Sequence, residues 1–229
     1  GTYLKPFASS LAYIIWIIGL VLHCILIIYF TMKHVLKFNI KKVFPSWFIV
    51  YVGIVVGAVT GPAFGMNELG KILFWFGLIS YFILVPIVCN RVFKVKEIPE
   101  AALPTLVIFS APASLCLAGY MSSFQDKNLF LVYLLLSLSQ LIYLLVLIKL
   151  PSLLRLKFYP SYSAFTFPLV ITGISLKLTN AFLINAGRPI AIFKYLIKFE
   201  EFVAVAMVLY VLIRYISFLF AQADSKKTA

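Results

Sequence analysis

The sequence predicts an all-α polytopic membrane protein, with about seven transmembrane helices arranged as hairpin repeats. Of its 229 residues, 63% are hydrophobic and 12% are charged, and the mean hydropathy is +1.07. Soluble domains carry about 25% charged residues, so this composition indicates an integral membrane protein. The apolar residues also form segments long enough to cross a hydrocarbon layer of about 30 Å. We place these spans in one transmembrane domain, near residues 10–32, 46–64, 71–90, 101–121, 128–150, 159–180 and 199–221.

The net charge of +13 arises from basic residues in short loops between the spans, a distribution typical of cytoplasmic loops and not of a nucleic-acid-binding face. The positive-inside rule places the more basic side in the cytoplasm, with the C-terminus inside and residue 1 outside. We therefore expect a protein of the plasma membrane or of a bacterial inner membrane. The basic residues on the inner side are Lys33, Lys37, Lys41, Lys42, Arg91, Lys94, Lys96, Lys149, Arg155, Lys157, Arg214, Lys226 and Lys227.

Three basic loops recur along the chain, beginning near residues 33, 91 and 149 at a spacing of 58 residues. Each loop is followed by a segment that opens near a proline: Pro45, Pro104 or Pro160. This periodicity predicts a hairpin of two spans that is used about three times, with the last span completing the final unit.

The two spans of each hairpin differ in composition. Segment 46–64 carries Gly53, Gly57 and Gly61, and segment 101–121 carries Ser114 beside Pro112. Small residues allow close helix approach or leave room for a lumen, whereas the Leu-, Ile- and Phe-rich partner spans suit a lipid-facing position. We predict inner, proline-kinked pore helices ringed by plain outer helices.

Segment 159–180 shows this small-residue pattern most clearly. Phe165 and Phe167 stand beside Pro168, where a helix should kink. The pattern favours either a pore helix with an aromatic constriction or a tightly packed helix interface with two core phenylalanines. The residues that would share one helical face are Ser161, Ala164, Pro168, Thr172, Ser175 and Thr179.

The sequence offers no pattern for enzymatic chemistry. We find no metal-ligand spacing, catalytic triad or phosphate-binding loop, so we expect neither an enzyme nor a cofactor. No acidic residue falls in the middle of a predicted span, and Glu200 and Glu201 lie where the last helix is expected to begin. Lys177 is the charge deepest in segment 159–180, and it either snorkels to the interface or attracts anions.

Three motifs resemble corresponding helices of the tellurite-resistance/dicarboxylate transporter family, which includes the plant slow-type anion channels of guard cells. They are Pro45-Ser-Trp-Phe with Val52-Gly-Ile-Val-Val-Gly-Ala, Phe109-Ser-Ala-Pro-Ala-Ser, and Ala164-Phe-Thr-Phe-Pro. The resemblance implies a homotrimer whose protomers contain ten helices in five hairpins, with the odd helices around a central pore. This chain matches helices four to ten, so we expect it to be part of a longer protein and to lack a closed five-helix pore by itself.

The resemblance also implies roles for individual residues. It places the phenylalanine that occludes the pore at Phe167, with Phe165 as its neighbour, and it matches Lys177 to a lysine near the end of the ninth helix. A second pore phenylalanine of the plant channels falls on Val55 here. The remaining residues expected to line the pore are Pro112, Ser114, Ala164, Pro168, Thr172, Ser175, Gly53 and Gly57.

These observations lead us to expect voltage-independent permeation of small inorganic or organic anions through a pore gated by Phe167. Two alternatives stay open. One is a proton-coupled exporter of C4-dicarboxylates, sulfite or tellurite-related anions. The other is a membrane scaffold that transports nothing.

Overall fold

The computed structural model describes the backbone of residues 1–227 and the side chains up to residue 221, and this part of the chain is helical with no β-strand. The side chains of Lys226 and Lys227, which entered the orientation argument, lie outside the described residues. The α-helices are, in order, α1 (Ser9–Phe30), α2 (Trp47–Tyr51), α3 (Val56–Thr60), α4 (Asn67–Cys89), α5 (Ala111–Ser123), α6 (Leu129–Leu154), α7 (Phe167–Asn185) and α8 (Phe193–Lys227).

Six helical segments of the described chain are long and apolar enough to cross a membrane, and they confirm the all-α membrane fold. They are Ser9–Val35, Asn67–Val95, Glu100–Ser123, Leu129–Leu154, Pro160–Asn185 and Phe193–Ala221. The predicted span 46–64 differs, because α2 and α3 alternate there with the 3-10 turns Gly53–Val55 and Gly61–Phe64. Glycine and proline disfavour a continuous α-helix, and this segment contains three glycines and Pro62 within the ten residues 53–62.

The other two inner segments are also irregular at their beginnings. A 3-10 helix, Glu100–Ser110, leads into α5, and a shorter 3-10 helix, Pro160–Phe165, precedes α7. In contrast, α1, α4 and α6 are continuous α-helices, and α1 and α4 end in single π-helical turns. The difference between inner and outer helices that composition predicted is therefore visible in backbone geometry.

Burial separates the two classes as well. Across the most apolar stretch of each span, 67% of the residues are buried in Glu100–Ser123 and 50% in Pro160–Asn185, against 11% in Ser9–Val35 and 17% in Phe193–Ala221. The helices α5 and α7 pack against each other at the centre, and α1 and α8 lie at the outside. This arrangement confirms inner helices ringed by outer ones.

The basic loops lie together at one end of the bundle. The side chain of Lys41 forms an ion pair with Glu97 in the next loop, with 2.9 Å between Nζ and Oε2. The hydrogen bond from Lys41 and its charge hold the pKa of Glu97 below its ordinary value. The hydroxyl of Tyr159 donates to Glu100 at 2.9 Å and so ties the third loop to the second. Hairpins of two spans return each loop to the same end, as the repeat predicted.

Helix α8 begins at Phe193, six residues before the predicted start of the last span near residue 199. Lys194, Lys198 and two glutamates lower the hydropathy of this stretch, so the apolar segment of the sequence starts later than the helix. Glu200 consequently lies about 10 Å along the helix and not at its start, and it is only 1% exposed.

Candidate permeation cavity

A cavity of about 350 Å³ opens among the three inner segments, and every residue that lines it belongs to one of them. Its walls come mainly from the first half of each segment, next to the end of the bundle that carries the basic loops, with Pro112 and Leu115 just beyond the middle of segment 101–121. The lining residues are Ser46, Phe48, Ile49, Val52, Gly53, Thr105, Ile108, Ala111, Pro112, Leu115, Ser161, Ser163, Ala164, Phe167 and Pro168.

The cavity wall combines apolar side chains with a few hydroxyl groups and contains no charged residue among those described. The hydroxyl of Ser161 donates to the carbonyl of Ala101 at 2.5 Å, and that of Thr105 donates to the carbonyl of Ala102 at 2.6 Å. Such a wall contains no carboxylate that would repel an anion. An apolar wall also favours gating by loss of water.

Phe167 is the large aromatic side chain that α7 contributes to this cavity. The 3-10 turn ends at Thr166, whose φ of −92° and ψ of −85° lie outside the helical region, and α7 begins at the next residue. Pro168 follows in the first turn, where a missing N–H leaves no intrahelical hydrogen bond unmade. Phe167 is 45% exposed in this chain. The backbone break thus directs an aromatic ring into the space between the inner segments.

Phe165 lies elsewhere, although only one residue separates it from Phe167. Its side chain is fully buried, and its ring centroid lies 4.8 Å from that of Tyr162 in a core formed with α6 and α8. It is not part of the cavity wall. We therefore restrict the gate considered below to Phe167.

The small-residue face of segment 159–180 divides into two parts. Ser161, Ala164 and Pro168 line the cavity, as do Pro112 and Gly53 from the other inner segments. Ser114, Thr172 and Ser175 are fully buried instead. The Ser114 hydroxyl lies 3.1 Å from that of Thr172, so this part of the face is a helix interface. One part of the face therefore lines the cavity, and the other part packs against α5.

Gly57 and Val55 serve helix packing. A Cβ atom at Gly57 would lie 2.5 Å from Leu73 and 2.8 Å from Leu20, so glycine allows this segment to approach α4 and α1. Val55, where the resemblance placed a second pore phenylalanine, is fully buried. Neither residue lines the cavity.

Lys177 forms an ion pair with Glu201 of α8, with 2.8 Å between Nζ and Oε1. The pair lies in a separate groove between α7 and α8, and both side chains are largely exposed. Lys177 is not among the residues of the cavity wall. Its positive charge is balanced locally, which weakens its pull on an anion in the cavity.

Sequence reasoning missed several residues of the wall, including Phe48, Thr105 and Leu115. The available signal was the repeat itself, since the wall uses comparable stretches of the three inner segments. Small-residue spacing points to helix contacts as readily as to a lumen, and it selected buried positions such as Ser114.

Irregular inner helices around a cavity, inside a ring of continuous helices, define a membrane protein of the channel or transporter class. The chain matches the family model described as SLAC1, voltage-dependent anion channel, over residues 2–216. The protein therefore belongs to this family, whose members are channels or transporters and not enzymes. No individual curated protein matches the chain.

Family membership confirms the resemblance derived from the three motifs, and it supports anion transport in a lipid membrane. The family description includes voltage dependence, whereas the sequence led us to expect voltage-independent permeation. The relation between current and voltage for this protein decides between the two.

Proposed function

We propose that this protein conducts small anions passively through the cavity between its inner segments, and that the ring of Phe167 gates the path. The observation that carries the proposal is the composition of the cavity wall, which comes entirely from the three segments predicted to be inner. A path assembled from equivalent parts of a repeat is what a pore at the repeat centre requires.

Attraction of the anion is assigned to the backbone and hydroxyl groups of the wall. Helix α7 begins directly after the break at Thr166, and the positive end of a helix dipole favours negative charge nearby. The hydroxyls of Ser46 and Ser163 add dipoles along the same wall. Lys177 contributes little here because Glu201 pairs with it.

Closure is assigned to the Phe167 ring, the large aromatic group that follows the backbone break. A ring in a narrow apolar passage blocks ions sterically and also removes water from it. The ring is 45% exposed, so it has room to move within the cavity. The homotrimer is likewise retained from the resemblance, and the mass of the detergent-solubilised particle tests it.

Anion flux into proteoliposomes that contain this protein tests the gate. We expect Phe167→Ala to raise the flux about tenfold or more, which corresponds to a barrier lower by about 1.4 kcal/mol. Phe165→Ala is the matched control, because it removes the same side chain outside the cavity. That control should cost about 3–5 kcal/mol of stability without opening the path. Equal flux in wild type and Phe167→Ala would exclude the gate.

Proton-coupled transport is the second candidate function, and one observation favours it. The buried carboxyl group of Glu200 supplies an intramembrane acid that the passive channel does not need. A current whose reversal potential follows the pH gradient would support this candidate over passive conduction.

A further inference from the structure

Three polar side chains meet in the membrane-spanning part of the bundle without normal hydrogen bonds. Oε2 of Glu200, Nε2 of Gln140 and the hydroxyl of Tyr143 are all buried and have no hydrogen-bond partner among the described residues. Glu200 belongs to α8, and the other two belong to α6. Buried polar groups in proteins are nearly always paired, so three unpaired groups together indicate a site with a role.

Glu200 lies near both of the other groups without forming a hydrogen bond of normal geometry. The amide of Gln140 is close enough to act on the carboxyl of Glu200, and the hydroxyl of Tyr143 is close enough to experience the charge of that carboxyl. Helix α7 forms the third wall of the site. A Cβ atom built at Gly173 would lie 3.5 Å from Cβ of Glu200 and 3.9 Å from Oε2.

No cation balances Glu200 within the described part of the chain. Lys177 on α7 is paired with Glu201, the residue that follows Glu200, at the surface. On the 3-10 turn that packs against α8, the hydroxyl of Tyr162 donates to the carbonyl of Leu156 at 2.7 Å. Arg214, further along α8, binds the hydroxyl of Tyr210 at 3.0 Å. Lys177, Tyr162 and Arg214 are therefore committed elsewhere, and Lys198, two residues before Glu200 on α8, is exposed.

An ionised carboxylate without a cation is costly to bury, and the cost falls when the group binds a proton. We propose that Glu200, with Gln140 and Tyr143, forms a proton-binding site at the junction of α6, α7 and α8. In the protonated state the carboxyl O–H donates to one of the two neighbours. In the ionised state both neighbours donate to the carboxylate, so gain or loss of one proton changes how α8 is held against α6.

The site is well placed to act on the gate. Gly173 lies six residues after Phe167 on the same helix, about 9 Å along its axis. A change in the packing of Glu200 against Gly173 therefore acts directly on α7, the helix that carries the ring of Phe167. This link to anion flux rests on the function proposed above, whereas proton binding itself does not.

Infrared spectroscopy of the full-chain protein in lipid tests proton binding directly. We expect a carbonyl band of a protonated carboxylic acid at neutral pH that is lost in Glu200→Gln. The band should remain in Glu201→Gln, which makes the same substitution one residue further on at an exposed position. Identical spectra for wild type and Glu200→Gln throughout the pH titration would overturn the proposal.

A second variant keeps the test decisive if Glu200→Gln does not fold. Tyr143→Phe removes only the neighbouring hydroxyl, so it should shift the frequency of the same band. A band that neither shifts in Tyr143→Phe nor depends on pH would also overturn the proposal.

Anion flux measured against pH then tests the link to the gate. We expect Glu200→Gln to abolish the pH dependence that wild type and Glu201→Gln retain. If all three proteins carry no flux, the proposed function fails, while the infrared titration still decides the proton site.

Discussion

The side-chain oxygens of Ser114 and Thr172 lie 3.1 Å apart, and the two residues are 58 positions apart in the sequence. That separation equals the spacing of the basic loops, so the contact joins equivalent points of two repeats. Ser114 also lies 2.8 Å from the hydroxyl of Ser139 and donates to the carbonyl of Ser110 at 2.6 Å. The centre of the bundle is therefore held by a small hydroxyl network outside the cavity.

Thr172→Val should lower stability by about 1 kcal/mol, since it removes one hydroxyl from this network while keeping the shape of the side chain. Anion flux through folded protein should stay unchanged, because neither Ser114 nor Thr172 lines the cavity. Thermal unfolding in detergent and flux in proteoliposomes measure the two effects separately. Altered flux with unchanged stability would place Thr172 in the path after all.

The contact between Ser114 and Thr172 also shows which features the sequence pattern could predict and which it could not. Spacing alone identified which segments are inner and which residues share the face of α7. Whether that face met water or another helix depended on what packs against it, and the residues of α5 that decide this are 58 positions away. Hydropathy likewise placed the start of the last span after the start of α8, because the charged residues near the start of this helix lower it, although one of them, Glu200, is buried beside Gly173.

Val55 marks another packing relationship that the sequence could not predict. A Cβ atom at Gly77 of α4 would lie 2.1 Å from Cγ2 of Val55, and one at Gly119 of α5 would lie 2.6 Å from its other methyl group, Cγ1. The valine thus fits between two glycines on different helices. A phenylalanine at this position would need both helices to move apart, which explains why the residue expected from the resemblance is absent here.

Gly77→Ala should therefore destabilise the protein by about 1–3 kcal/mol through overpacking against Val55. The matched control is Gly19→Ala on α1, because a Cβ atom there meets nothing within 4 Å. That control should be neutral or slightly stabilising, since alanine favours a helix more than glycine does. Thermal unfolding of both variants checks the expectation, and the double variant Gly77→Ala with Val55→Ala should recover part of the loss. Equal unfolding temperatures for the two single variants would contradict this account of Val55.

The ion pair between Lys177 and Glu201 leads to the last prediction. Both side chains are exposed, and pairs of this kind contribute about 0–1 kcal/mol, so Lys177→Gln should change stability little. Because the charge is balanced and lies outside the cavity, Lys177→Gln should also leave anion flux close to that of wild type.

Glu201→Gln is the informative partner variant, since it frees the positive charge of Lys177 without altering the cavity wall. Flux measured at low and high ionic strength distinguishes attraction of anions by Lys177 from attraction by the backbone of α7, because salt screens an exposed charge. A loss of flux in Lys177→Gln that disappears at high salt would assign the attraction of anions to this lysine and not to the backbone of α7.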